Sequence, residues 1–153
     1  MNIEAPISKF KKTNIKICIA VCIGLVIWCV YDAYFNEEFI KKYTDEDGNP
    51  TGWLVINKKA PPFLIGAAIL FGVYLFLLKD RKLLADENEL VINNKKRIAY
   101  ASIQQINKTY FDKKGFFVMT YKDKGGNEAR LKLSDRKYDN LAAVLERLIE
   151  KIS

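Results

Sequence analysis

The chain has 153 residues, half of them hydrophobic, with 25 Lys and Arg against 18 Asp and Glu, a formal net charge of +7, and no histidine. Lack of histidine excludes His-based triads and removes both the commonest general base and the commonest metal ligand. The length leaves room for two membrane spans, a short connector and one soluble domain of about 75 residues.

Residues 1–14 form a basic leader with Lys9, Lys11 and Lys12. Residues 15–35 and 61–78 are apolar runs, each about long enough to cross a bilayer as a helix, since a hydrocarbon core of about 30 Å takes roughly 20 residues at helical rise. The first run ends in Tyr31, Asp32, Ala33, Tyr34 and Phe35, without the small residues of a signal-peptidase site, and reads as an uncleaved anchor. Its three cysteines, Cys18, Cys22 and Cys29, fall within about 40° on a helix, have no partner elsewhere in the chain, and read as small apolar packing residues.

Lys and Arg accumulate on cytoplasmic flanks. The basic leader, and Lys79, Arg81 and Lys82 after the second run, therefore place both termini in the cytoplasm. The connector, 36–60, has four Lys against five acids and is expected outside. Trp28, Tyr31, Tyr34 and Trp53 cluster toward that outer interface. Asp32 is expected near the headgroups rather than inside the hydrocarbon. Small residues at i,i+4 spacing, Ala20 with Gly24 and Ala68 with Gly72, suit close approach of the two spans in a hairpin, with dimerisation as the competing use.

Phe35, Phe39 and Tyr43 extend the first helix beyond the bilayer to about Thr44, supported by Glu37–Lys41 and Glu38–Lys42 pairs. Residues 45–52 read as a polar turn, 53–56 as a short apolar strand or interfacial stretch, and Pro61 and Pro62 as the start of the second helix. Asp45-x-Asp47-x-Asn49 opens like a calcium loop, but Pro50 and Ile56 stand where glycine and a bidentate glutamate are needed. The Asn107-Lys108-Thr109 sequon falls in the expected cytoplasm and is set aside.

Residues 79–153 carry 17 basic and 11 acidic side chains, which suits an anionic membrane surface better than nucleic acid, since no nucleic-acid motif accompanies the charge. Strands are expected at 89–93, 97–100, 103–111, 116–122 and 128–133, separated by Asn-, Gly- and Lys-rich turns. In the last, Ala129, Leu131 and Leu133 alternate with Glu128, Arg130 and Lys132, so one face is buried. From about Tyr138 a helical stripe of Leu141, Val144, Leu145, Leu148, Ile149 and Ile152 predicts an amphipathic helix closing an antiparallel sheet. The fold class is membrane α+β.

Leu90-Val91-Ile92-Asn93 followed by Tyr100-Ala101-Ser102-Ile103, a further hairpin and a closing helix resembles the pleckstrin-homology-like domains of small bacterial inner-membrane proteins with two preceding spans. Tyr100 stands where that signature has Trp, Ser102 replaces its acid, and about five strands are legible where the full fold has seven. Most members have no assigned biochemical role, so the resemblance implies a fold more than a function.

No nucleophile, acid–base pair or phosphate loop has a partner implied by spacing, and no enzyme activity, metal or cofactor is expected. The expected function is a multi-pass inner-membrane binding module. Its cytosolic domain engages anionic headgroups through Lys95, Lys96, Arg97, Lys113 and Lys114 converging at one sheet edge, or a protein through Tyr110, Phe111, Phe116 and Phe117. The alternative is an immunity protein that neutralises a toxin acting at or across the inner membrane.

Overall fold

The computed structural model describes the whole chain, Met1–Ser153, and divides into Met1–Lys12 with Leu77–Ser153, and Thr13–Phe76. The protein is of the α+β class, with two long apolar helices, antiparallel sheets and a C-terminal helix.

The first unit contains seven strands. β1 (Ile3–Pro6), β2 (Lys82–Ala85), β3 (Glu89–Ile92) and β4 (Lys96–Ala99) form one sheet in that order, and β5 (Ile103–Asn107), β6 (Phe116–Lys122) and β7 (Glu128–Ser134) form a second. Period-two alternation drives β6, where Phe117, Met119 and Tyr121 are buried between less buried neighbours. The β3–β4 hairpin turns through Asn93 and Asn94, both at positive φ, with Lys95 N–H donating to the Ile92 carbonyl at 3.0 Å. This is a type I′ turn, and asparagine tolerates the left-handed conformation it demands.

The amphipathic helix α5 (Leu141–Ile152) buries Leu141, Val144, Leu145 and Leu148 and packs on β1, β2 and the single 3-10 turn Tyr100–Ser102. The core also contains Leu83, Leu90, Ile98, Phe117, Met119 and Leu133.

Two of the seven strands were not expected. The leader supplies β1, antiparallel to β2 from Ile3 against Ala85 to Pro6 against Lys82. On its other side the chain continues into a bridge from Ile7 to Tyr138, with Ser8 N–H donating to the Lys137 carbonyl and Asp139 N–H to that of Pro6. Ala5 and Ile7 are consequently buried. The expected strand 103–111 stops at Asn107, and residues Phe111–Lys114 form a helical turn, α4, ended by Gly115 at φ +68.

The helix α1 (Lys9–Tyr34) starts inside the first unit, where Ser8 Oγ accepts from Lys11 N–H and the Asp139 carboxylate from Lys9 N–H. These bonds satisfy two of the donors that every helix leaves unpaired at its first turn. In the second unit α1 does not run on to Tyr43. It ends at Tyr34, and Asn36 caps a separate short helix, α2 (Glu37–Lys42), by accepting from Phe39 N–H at 3.3 Å.

The expected strand at 53–56 is helix. α3 (Gly52–Leu77) starts nine residues before Pro61, so both prolines are interior. A proline has no N–H to give the carbonyl four residues earlier, which frees those of Asn57 and Lys58. The earlier start is favoured because only a helix puts Leu54 and Pro61, seven residues apart, on one face, and both are buried. Both α1 and α3 are long and apolar enough to cross a membrane, with mean hydropathy of 2.2 and 2.0 over windows of which only 6% is buried within the chain.

Candidate functional site

Pairing registers set Pro6 opposite Lys82 and, one residue along, Leu83 opposite Ile92 and Ile92 opposite Lys96, all at one end of the four-stranded sheet. At this end the chain passes from β1 into α1 and returns from α3 into β2. The β3–β4 turn is held there, with Asn93 N–H donating to the Lys82 carbonyl at 2.7 Å and Asn94 Nδ2 to that of Asp80 at 3.4 Å.

The turn projects the exposed Lys95, Lys96 and Arg97. Across from them stands the β6–β7 turn, in which Asp123 Oδ1 accepts from Gly125 N–H at 2.8 Å and from Asn127 N–H at 3.0 Å. The two turns border an open groove of about 750 Å³, to which the second contributes Lys122 and Lys124. Lys96 Nζ lies 5.0 Å from the Tyr121 ring centroid, a cation–π contact that spans the groove wall.

Charge in the groove is unbalanced. Of its two acids, Glu89 is bonded to Arg97 at 2.6 Å, and Asp123 is occupied by the turn backbone. Lys95, Lys96, Lys122 and Lys124 form no ion pair, so four exposed ammonium groups face one concavity. An array of this kind attracts phosphate-bearing anions and responds to salt.

Family models, curated proteins and solved structures were compared with the chain, and none matches.

The expected convergence with Lys113 and Lys114 does not occur. Those two lie on α4 at the start of β6, whereas the groove is at its far end, and the five steps from Phe116 to Tyr121 span about 17 Å of strand. Lys114 instead stands 5.1 Å over the ring of Tyr110, which stacks on Phe116 at 5.5 Å, and Lys132 covers Phe116 at 3.8 Å. Tyr110 is 46% exposed. Phe111 is half-buried, edge-on to Phe117 at 5.9 Å, and Phe117 is wholly buried, so it belongs to the core and cannot meet a partner. Sequence reasoning missed Lys122 and Lys124, although the Gly125-Gly126 turn beside them was a legible signal.

Tyr100, the aromatic of the signature-like element, donates from its hydroxyl to the Asp86 carbonyl at 2.6 Å. Burial raises its pKa above the usual 10.0, opposed by Arg147 and reinforced by Asp86 and Glu89. Ser102 Oγ donates to the Ala99 carbonyl at 2.7 Å.

In the second unit Asp32 is buried and accepts from Asn36 Nδ2 at 3.0 Å, so it braces the break between α1 and α2. Asp45 Oδ1 accepts from Asn49 N–H at 2.7 Å, which commits that carboxylate to the turn. Ala20 and Gly24 are exposed, Ala68 and Gly72 are half-exposed, and a Cβ added at either glycine meets no atom within 4 Å. The structure does not bring these four residues together as a packing face.

Proposed function

We propose that the protein is a non-enzymatic, membrane-tethered binding module of the bacterial inner membrane. Its pleckstrin-homology-like domain lays the β3–β4 and β6–β7 turns on anionic headgroups of the cytoplasmic leaflet. The fold reading is supported by four plus three antiparallel strands closed by a C-terminal helix. Membrane crossing is supported by two apolar helices whose side chains find few partners within the chain.

β1 precedes the first helix and β2 follows the second, yet the two strands pair. Two crossings satisfy that pairing, whereas one would separate the strands by a bilayer. The Lys-rich flanks favour the cytoplasmic side.

The observation that carries the ligand reading is the groove itself. Four lysines without acid partners line it, and two of them, Lys95 and Lys96, belong to the sheet end where the chain joins both apolar helices. Each basic residue near an anionic leaflet contributes about 1 kcal/mol, reduced by salt.

The test uses the full chain in neutral detergent, titrated with short-chain phosphatidylglycerol or phosphatidylcholine and read by native mass spectrometry. The wild type should retain phosphatidylglycerol preferentially, and less of it as salt rises. Replacing Lys95, Lys96, Lys122 and Lys124 by Gln should abolish the preference, while Lys113→Gln with Lys114→Gln should leave it intact. No preference in the wild type, or equal loss in both variants, would refute the groove as the headgroup site.

A further inference from the structure

Lys58 Nζ on α3 sits 5.9 Å from the ring centroid of Tyr34, the last residue of α1. Ala33 and Leu54, close to that pair in sequence, are buried. In a hairpin this contact fixes one level common to both helices. At about 1.5 Å per residue, Trp28 lies about 9 Å from that level along α1, on the membrane side. Trp53 lies about 7.5 Å from it along α3, on the connector side.

We infer that the outer hydrocarbon boundary crosses the hairpin at the Tyr34–Lys58 contact, which puts Trp28 among acyl chains and Trp53 outside the hydrocarbon. The inference rests on the membrane reading above and adds the depth at which the lipid meets the protein. It also divides the four-ring belt expected from sequence, because Trp28 and Trp53 stand about 16 Å apart in depth.

The lengths of the two spans support this boundary independently. From Ile17, the first residue after Lys16, to Tyr34, α1 rises about 26 Å, and from Ala60 to its end at Leu77, α3 rises the same, close to a core of about 30 Å. A boundary at Trp53 would instead sink Asn57, Lys58 and Lys59 into hydrocarbon, where charge is expensive. It would also strand in lipid the Asn57 and Lys58 carbonyls that Pro61 and Pro62 leave unbonded, and lipid supplies no donors.

The boundary makes α2, the turn at 43–51 and the first two turns of α3 an ordered cap outside the bilayer. Asp32, two residues inside the boundary, is shielded from lipid by burial and bonded to Asn36.

The chain has only two tryptophans, so Trp28→Phe and Trp53→Phe each leave one reporter. Both rings are largely exposed, at 63% and 59%, and replacing them by phenylalanine removes little packing. In proteoliposomes of phosphatidylcholine and phosphatidylglycerol carrying nitroxide lipids, Trp28 should be quenched several-fold more by a label deep in the acyl chain than by one at the headgroup. Trp53 should respond little to acyl-chain labels and strongly to external iodide. The unsubstituted protein should show both components, a check that neither substitution moved the helices. Equal responses of the two rings to the same label would overturn the boundary while leaving the spans in the membrane. Failure of any lipid label to quench either ring would overturn the membrane reading, and the boundary with it.

Discussion

Tyr100 couples the domain to alkaline pH. Its phenol is buried and hydrogen-bonded to Asp86, and its pKa is raised, so the folded state prefers the neutral form. The resulting stabilisation is fully present below the unfolded value of about 10 and is lost as pH rises through the higher folded value. Tyr100→Phe should cost about 1 kcal/mol at neutral pH through the lost hydrogen bond. It should also flatten the decline in melting temperature from neutral pH to about pH 11, and melting curves of both proteins over that range measure it. The residue was legible in the sequence as part of a strand-end element. Its bond to Asp86, fourteen residues earlier, was not, because local spacing does not say which carbonyl a hydroxyl meets. The groove divides in the same way: Lys95, Lys96 and Arg97 could be read from their turn, whereas their pairing with Lys122 and Lys124 depends on how the two sheets are assembled.

Elements whose signal is local were read closely. β6, β7 and α5 each carry their own period over seven to twelve residues, and the expected and observed bounds differ by a residue or a few. β1 and β2 are only four residues long and find each other across the whole helical unit, so neither shows a pattern that a local reading could use. The start of α3 departs from the sequence expectation because a proline pair signals a helix beginning more often than an interior, and buried Leu54 outweighs that signal.

The strand β1 also changes what can fold alone. Residues 79–153 lack it, leaving the edge of β2, with Leu83 and Ala85, uncovered. That fragment should melt at a markedly lower temperature than the same fragment with residues 1–8 joined to it by a short Gly/Ser linker. Far-UV circular dichroism against temperature checks this, and equal melting would mean that β1 adds nothing to the sheet.

At the scale of the whole molecule the prediction is topology. With the three native cysteines replaced, a cysteine at Thr51 should react with an impermeant thiol reagent in intact cells, and one at Lys124 only after lysis. Labelling at Lys124 in intact cells would reverse the orientation inferred from the basic flanks.

Pairing of β1 with β2 has a further consequence for synthesis. β1 leaves the ribosome first, but its partner follows only after both apolar helices, some 76 residues later, an interval of roughly 4 to 15 s at ordinary elongation rates. Throughout it Ile3, Ala5 and Ile7 have no sheet to join. If the two helices span a bilayer as proposed, the sheet can be completed only in chains that have crossed it an even number of times, since any other outcome leaves β1 and β2 on opposite faces. On the membrane reading proposed above, the first strand would act as a checkpoint on insertion: a correctly threaded chain would close its core, and a misthreaded one would keep an open, apolar strand edge of the kind that marks a protein for degradation.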